Sequence, residues 1–365
     1  MEIRKEIKER LNSFKEIRRT LHQNPEIGFN IHHTLEYIEK LINMKSASND
    51  SGVFYLPGTK SCIAFRCELD ALPIKEMNDI EYKSKNDYMH ACGHDAHMAI
   101  LIETMLYFMN HQHDHALLFI FQPAEESGAG SKHMIKLNIF EKYQITELYA
   151  THVLPSLGNK IGCREGILMA KSCEIKITIK GKSAHAATPS HGIDALYVTN
   201  KFLSFIYEYQ KVIKPNILHI GKCISGEVCN VVSSKTVLEG TIRSFDLDSF
   251  EEIKNTCIKQ IELLDKEFNT RSILSFSDGY DLLMNHSKLV SKLKRNCEND
   301  YVEVMPMALS EDFSFYTSLC PSCYYFCGLT SDASLHEHSF DLDEEECLKA
   351  IELNIRLVED NTFDL

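Results

Sequence analysis

The sequence predicts an α/β catalytic domain with a largely parallel mixed sheet, interrupted by an inserted ferredoxin-like α+β domain. Short apolar strands alternate with amphipathic helices, and residues 117–121 are apolar throughout, as in a strand buried on both faces of a parallel sheet. Residues 174–180 instead alternate strictly between polar and apolar, which is typical of a half-exposed antiparallel strand. We expect the catalytic domain over 1–172 and 281–365 and the insert over 173–280.

The helices and strands of the catalytic domain are predicted from the spacing of apolar residues and from the prolines and glycines that end helices and strands. Residues 1–24 place apolar side chains at helical spacing and end before Pro25, which predicts one amphipathic helix. Further helices are expected over 34–42, from about Asp95 to 108, and over 131–137. Strands are expected near 53–55, 62–67, 117–121 and 147–150. After the insert we expect helices over 287–296, 311–319 and 343–358, with strands over 301–305 and 324–327.

The insert has its own order of elements. The alternating strand is followed by a helix over 193–206, strands over 217–223 and 235–243, a helix over 248–268 and a strand over 272–277. The order β-α-β-β-α-β is that of a ferredoxin-like unit.

Length, charge and cysteine content bound the class of protein. The chain has 365 residues, which suits two domains. Its net charge is -13 with no basic stripe, so we expect no nucleic-acid partner. No apolar run is long enough to cross a membrane, and the first residues have no apolar export segment. The 13 Cys lack a disulfide spacing, which indicates buried thiols in a reducing cytoplasm.

Two of the cysteines lie close together near the C-terminal end of the chain. Cys320 and Cys323 enclose Pro321 and Ser322, as in a redox or zinc knuckle. Because they lead into an apolar strand, we favour buried structural thiols.

Residues 88–97 hold three His, one Cys and one Asp. Imidazole and thiolate are the preferred ligands of borderline divalent cations, so this density indicates a metal site. Cys92 and His94 share a face only if the segment is extended, which predicts an extended stretch before the helix. The alternative is a structural turn ahead of a core helix.

Four further polar residues are placed by the predicted strands. Asp70, Glu125, Glu126 and His152 each lie just past a predicted strand end. In open α/β sheets ligands bind at this edge. A Glu-Glu pair can also be a solvated helix start, and His152 a core histidine, but their common edge favours a site.

The resulting candidates suit two metal ions. They are Cys92, His94, Glu126, His152 and one of His336 and His338. Five ligands fit two divalent ions that share a bridging group. Neighbouring glutamates in an extended segment point opposite ways, so one can ligate while the other acts as general base. Asp70 suits orienting a ligand. The thiolate favours zinc, while manganese, cobalt and nickel remain open.

Several motifs carry a family resemblance. They are LHQNPE (21–26), DALP (70–73), ACGHDAH (91–97), QPAEE (122–126), GKSAHAA (181–187), GTIR (240–243) and SEDF (310–313). Together they cover nearly the whole chain, and it resembles the amidohydrolase branch of the aminoacylase/carboxypeptidase metallopeptidase superfamily. That branch includes hippurate hydrolases, indole-acetyl-amino-acid hydrolases and N-acetyldiaminopimelate deacetylases.

The resemblance implies specific roles. The metal ligands would be Cys92 as the bridge, His94, Glu126, His152 and His336. The catalytic residues would be Glu125 as general base, Asp70 as supporting acid and His185 in the insert as oxyanion donor. Asn230 and Arg243 would hold the substrate carboxylate. His336 is preferred because the family ligand stands four residues before the aromatic matched by Phe340.

The resemblance also implies partners and shows departures. In many members the inserted domain mediates dimerisation, so a homodimer is expected. Glu68 stands where the family usually has Asp, and His338 replaces a usual proline. The insert helix lacks the Ser-Arg pair that usually follows its Gln, here Gln210.

The predicted function is hydrolysis of the amide bond of an N-acyl, most simply N-acetyl, amino acid by metal-activated water. N-acetyldiaminopimelate-type and hippurate-type substrates both fit. A second reading is a dipeptidase or carboxypeptidase, and a third, of another class, is a non-catalytic metal-binding protein.

Overall fold

The computed structural model describes residues 1–128 and 130–361, which form two compact units. Unit 1 comprises Met1–Leu168, Met284–Met305 and Asp312–Leu365, and unit 2 comprises Met169–Leu283 and Pro306–Glu311. The sequence placed 306–311 in the catalytic domain. In the structure the N–H of Ala170 donates to Met307 O at 3.1 Å and Leu309 O at 3.0 Å, which ties that segment to unit 2.

The helices are α1 (Lys5–Glu9), α2 (Leu11–Gln23), α3 (His32–Ile42), α4 (His94–Asn110), α5 (Gly130–Lys136), α6 (Ile139–Tyr143), α7 (Ala195–Val212), α8 (Leu247–Phe268), α9 (Ser287–Cys297) and α10 (Glu344–Glu359). The strands are β1 (Gly52–Leu56), β2 (Lys60–Glu68), β3 (His115–Gln122), β4 (Ile145–Pro155), β5 (Ile161–Cys163), β6 (Gly166–Met169), β7 (Lys171–Lys180), β8 (Ile217–Ser225), β9 (Lys235–Ser244), β10 (Arg271–Phe276), β11 (Leu283–Asn285), β12 (Tyr301–Glu303) and β13 (Ser322–Leu329).

Unit 1 is built on a seven-stranded sheet in the order β1-β3-β2-β4-β13-β5-β12. The four strands from β3 to β13 are parallel, with Phe65 of β2 opposite Phe119 of β3 and Tyr149 of β4. Every residue of β3 and of β13 is buried, as an apolar run without alternation requires. The largely parallel α/β class is thereby confirmed.

The helix α4 lies in the middle of unit 1. It packs against α2, α10 and β2, and its side chains from His94 to Met105 are buried on all sides. A helix buried on all sides is expected to be largely apolar around its whole circumference, without a solvent-exposed face.

Unit 2 holds a four-stranded antiparallel sheet in the order β10-β7-β9-β8. The helices α7 and α8 pack against this sheet, and β7 alternates between buried and exposed side chains as predicted. The β-α-β-β-α-β order confirms the ferredoxin-like class of the insert.

Three expectations for individual elements were wrong. The first helix is interrupted at Arg10, whose guanidinium contacts the buried carboxylate of Glu103. The helix expected over 311–319 is a short 3-10 turn, Asp312–Phe315. The strand β4 runs on to Pro155, so His152 lies inside it rather than past its end, because β13 pairs with β4 as far as Pro155. The strands β5, β6 and β11 and the helix α6 had not been predicted.

Among the described residues, no helix combines the length and the apolar character that crossing a membrane requires.

Candidate metal centre

The segment 92–94 presents Cys92 and His94 through a left-handed glycine. Gly93 has φ 78° and ψ 16°, and α4 begins at His94, so the predicted extended segment was wrong. A Cβ on Gly93 would lie 2.4 Å from Cγ2 of Val153, so Val153 or the turn would have to shift to admit a side chain there. This turn, rather than an extended strand, directs the thiol and the imidazole to one side.

One ring nitrogen of His94 forms a hydrogen bond, and the other is available to bind a metal. Its Nδ1 donates to the carbonyl oxygen of Asp70 at 2.7 Å, and Nε2 is buried without a hydrogen-bond partner among the described residues. Burial lowers the pKa of His94, which favours the neutral ring that a metal requires.

The start of α4 is anchored by buried charge. The carboxylate of Asp95 accepts from Arg18 Nε at 2.7 Å and from His22 Nδ1 at 2.8 Å. Although burial opposes ionisation, Arg18 and His22 hold the pKa of Asp95 well below its usual range. The negative charge at a helix N-terminus and the cations behind it fix where His94 stands.

His152 reaches the same place from β4. Its Nδ1 donates to Val153 O at 2.7 Å, which leaves Nε2 at 3.5 Å from Cys92 Sγ. Burial lowers the pKa of His152 well below its usual value, so this ring is also neutral.

The two glutamates lie in a turn, not in the extended segment that we expected. Ala124 has φ 56°, and the N–H of Gly128 closes the turn on Glu125 O at 3.1 Å. The carboxylate of Asp70 accepts from the N–H of Glu125 at 2.9 Å and of Glu126 at 3.1 Å. Asp70 therefore orients both glutamates through their backbone. Burial raises the pKa of Asp70 to about 7.

His336 completes the cluster. Its Nε2 lies 3.3 Å from Cys92 Sγ and 3.5 Å from Glu126 Oε1. The backbone of His336 is left-handed, with φ 67°, and its N–H donates to Ala91 O at 2.8 Å. His338 belongs to none of the candidate metal groups found among the described residues, and its carbonyl accepts from Met77 N.

These residues fit two divalent ions. Two groups of ligand atoms within 4.8 Å of one another share the same thiol: Cys92 with His94 and His152, and Cys92 with Glu126 and His336. The unpartnered Nε2 of His94 is a buried polar atom of the kind that a bound ion would satisfy. A thiolate between imidazole and carboxylate donors suits zinc and similar borderline ions.

A buried polar network behind the site was missed from the sequence. Arg66 bonds Asp312 at 2.7 Å and Gln122 Oε1 at 3.0 Å, and Gln122 also donates to Asp312. Asp312 further accepts from the N–H of Ser131 at 2.9 Å. The network holds both ends of the segment that carries the glutamates. An arginine inside an apolar strand was the available signal, since such a charge is buried only when paired.

The remaining predicted residues lie in unit 2. His185 and Asn230 are on adjacent segments, where the N–H of Ala186 donates to Asn230 O at 2.9 Å. The N–H of Ala187 donates to His185 Nδ1 at 3.0 Å, which places the proton of the neutral ring on Nε2. Arg243 Nη1 donates to the carbonyl oxygen of Ala308 at 2.8 Å.

Known proteins resemble this chain over most of its length. A sequence model of Peptidase family M20/M25/M40 matches residues 64–360. An uncharacterized hydrolase of Staphylococcus epidermidis is 36% identical over 354 residues, covering 90% of this chain and 92% of the relative. An uncharacterized hydrolase of Staphylococcus aureus is 34% identical over 360 residues, covering 92% and 94%.

Solved structures share the fold. A protein of methicillin-resistant Staphylococcus aureus superposes with a TM-score of 0.89 at 24% identity, covering 97% of this chain and 98% of that one. The Bacillus subtilis YXEP protein, a dinuclear metal-binding peptidase of the M20 family, gives 0.85 at 24% identity, covering 96% and 98%.

Proposed function

The chain belongs to the peptidase family M20/M25/M40, and from this we propose that it is a metal-dependent amidohydrolase of N-acyl, most simply N-acetyl, amino acids. One observation carries the proposal: four candidate ligands, His94, Glu126, His152 and His336, converge on a fifth, Cys92, and Glu125 lies beside Glu126. A non-catalytic metal protein has no need of that additional carboxylate.

The ions would be held by Cys92 between the pair His94 and His152 and the pair Glu126 and His336. Two divalent ions there would lower the pKa of a water molecule and polarise the carbonyl oxygen of the substrate. We expect zinc, manganese, cobalt or nickel, with the thiolate favouring zinc.

Glu125 would move the proton. As general base it accepts a proton from the attacking water and later gives it to the leaving nitrogen. Asp70 supports this step because its carboxylate fixes the N–H groups of both glutamates. Ligand atoms of His94, Glu125 and Glu126 lie within 4.8 Å of one another, so the Glu125 carboxylate would be close enough to reach a water molecule held at the ions.

The residues of unit 2 keep the roles that the resemblance gave them. His185 would donate to the oxyanion, for which its Nε2–H tautomer is suited. Asn230 and Arg243 would hold the substrate carboxylate, a group that matches a guanidinium fork. These three roles stay predictions, as do the homodimer and the cytoplasmic location.

The proposal is tested with Glu125→Gln. We expect this variant to bind the same amount of metal as wild type and to lose at least about 100-fold in turnover, because general-base catalysis contributes that much or more. Metal content by mass spectrometry and release of free amine measure the two effects. Glu141→Gln, an exposed change on α6, is the control that keeps full activity. An active Glu125→Gln protein would rule out the mechanism.

The substrate class needs a panel. N-acetyl amino acids, hippurate and N-acetyldiaminopimelate are compared with dipeptides under the same metal loading. Faster release from the acylated compounds supports the proposal, and faster release from dipeptides favours a peptidase. A metal-loaded protein that is inert on all of them would favour a binding protein.

A further inference from the structure

His97 has no ring nitrogen left for a metal, although it lies among the candidate ligands. Its Nδ1 contacts Glu68 Oε2 at 2.8 Å, and the N–H of Val153 donates to its Nε2 at 2.8 Å. Because a backbone N–H can only donate, Nε2 is unprotonated and the proton sits on Nδ1. The geometry therefore fixes His97 as a neutral ring that donates to the Glu68 carboxylate.

The bond to Val153 replaces a missing strand contact. The pairing of β2 with β4 ends at Arg66 and Ala150, and the N–H of Val153 lies beyond that end. Val153 is fully buried, so its N–H needs an acceptor inside the protein, and the His97 ring supplies one. His97 thus supplies the acceptor for β4 where the pairing of β2 with β4 has ended.

Val153 connects His97 to a candidate metal ligand. Its carbonyl oxygen accepts from His152 Nδ1 at 2.7 Å, which directs His152 Nε2 toward Cys92. The rings of His97 and His152 also touch, with centroids 4.4 Å apart at an angle of 61°. A displacement of Val153 would therefore rotate or shift the imidazole of His152.

Glu68 is held rigidly from its other side. Its second carboxylate oxygen contacts the guanidinium of Arg66, and Arg66 bonds Asp312 at 2.7 Å. Glu68, Arg66 and Asp312 are all buried, so each charge has its partner inside the protein. This arrangement holds the Glu68 carboxylate in place as the acceptor for His97 Nδ1.

We propose that Glu68 and His97 are positioning residues that hold the His152 end of β4 in the geometry for metal binding. The inference rests on the proposed function, since it assumes that His152 binds an ion. It assigns a role to Glu68, the position where this chain departs from the aspartate usual in the family it resembles.

Two amide substitutions separate the two bonds of His97. His97→Asn leaves an amide near the former Nδ1 and removes the acceptor for the N–H of Val153. His97→Gln instead brings an amide oxygen to the former position of Nε2, where it accepts that N–H. We expect His97→Asn to weaken Co²⁺ binding by about 10–100-fold, the usual effect of losing a group that orients a ligand. We expect His97→Gln to recover most of that loss.

The measurement uses the metal-free full-length protein, titrated with Co²⁺ against a chromophoric chelator. The thiolate-to-cobalt absorption band is recorded as well, and we expect it to change in His97→Asn and not in His97→Gln. Thr104→Ala is the control, since Thr104 is equally buried on α4 but bonds Ile100 O. It should lower the unfolding temperature without changing Co²⁺ affinity.

Equal losses in the Asn and Gln variants, or a loss in Thr104→Ala as large as in His97→Asn, would overturn the inference. The tautomer gives an independent check by ¹⁵N NMR of the metal-free protein. We expect the proton of His97 on Nδ1, and a proton on Nε2 would contradict the geometry.

Failure of the proposed substrate and failure of the positioning role give different results. A wild-type protein that binds Co²⁺ but cleaves no compound of the panel would remove the proposed substrate and leave the positioning role in place. A wild-type protein that binds no Co²⁺ would remove both, whatever the tautomer of His97.

Discussion

At the scale of single residues, the candidate site depends on backbone conformations that most residues avoid. Gly93, Ala124 and His336 have φ values of 78°, 56° and 67°. For a residue with a Cβ this region costs about 1–2 kcal/mol. Each of the three sets the direction of a candidate ligand. Gly93 lies between Cys92 and His94, Ala124 precedes the two glutamates, and His336 is itself a candidate ligand. Such strain, carried here by Ala124 and His336, is characteristic of functional sites, where the surrounding fold over-determines the conformation.

The glycine between the two ligands gives the first prediction at this scale. Gly93→Ala should destabilise the protein by more than the roughly 1–2 kcal/mol of positive-φ strain, because its Cβ also meets Val153 at 2.4 Å. Gly158→Ala is the matched control, since Gly158 has φ 63° and nothing within 4 Å of the added Cβ. Chemical denaturation compares the two. An equal loss of stability in both would show that the contact with Val153 is relieved without cost.

The second prediction at this scale concerns His336 and His338. His336→Ala should remove about half of the bound metal and most of the activity, because it takes a donor from the group with Cys92 and Glu126. His338→Ala should retain both metal and activity. Metal content per chain distinguishes the two variants, and the opposite ranking would identify His338 as the ligand.

At the scale of elements, α4 is the helix that fixes the position of the candidate site in the core. Its first residue is a candidate ligand, its body is buried in the core, and Asp95 in its first turn is bonded to α2 by Arg18 and His22. His22 also contacts Glu76 at 3.3 Å through its other nitrogen. Because His22 is buried between two carboxylates, the stability that it contributes to the contact between α2 and α4 depends on pH.

The direction of that dependence follows from the pKa of His22. Burial and the nearby Arg18 lower this pKa, but Asp95 and Glu76 outweigh them and raise it above its usual value. The stabilisation from charged His22 is therefore complete below the unfolded-state pKa of about 6.5 and is lost as the pH rises through the higher folded-state pKa.

We accordingly expect the stability difference between wild type and His22→Gln to be largest below about pH 6.5 and to shrink at higher pH. Denaturant unfolding of the metal-free proteins across this range measures it, so that metal affinity does not enter. A difference that grows with pH would mean that His22 is neutral in the folded protein.

At the scale of the whole molecule, the two units carry different parts of the predicted chemistry. Unit 1 holds all the candidate metal ligands with Asp70 and Glu125, and unit 2 holds His185, Asn230 and Arg243. The antiparallel sheet of unit 2 ends in two edge strands, β10 and β8. Unpaired strand edges can pair with another chain, and the resemblance implies a homodimer through this domain.

We expect β8 to be the edge used. Ile224 of β8 is 58% exposed, and Ile224→Lys should shift the protein from dimer to monomer in sedimentation velocity, since a charge on an edge opposes strand pairing. Ile273→Lys on the opposite edge, 51% exposed, is the control that should stay dimeric. A wild-type protein that sediments as a monomer would contradict the expectation.

The sequence by itself determined the fold class, the ferredoxin-like insert and most of the elements, because these depend on local periodicity. The apolar run of β3, the alternation of β7 and the order of elements in the insert are visible in the chain. It also determined which residues have the chemistry of a metal site, since thiol, imidazole and paired carboxylates are chemical facts of the sequence.

Only the tertiary structure decided how those residues meet. The turn at Gly93 lies against Val153 of β4, and β4 owes its length to its pairing with β13. Packing also brings His336, which the family resemblance had already favoured over His338, to 3.3 Å from Cys92. The Arg66 network and the bond from Val153 to His97 join segments far apart in the chain. Contacts between distant segments leave no local pattern, because their geometry is set by the packing of the whole unit.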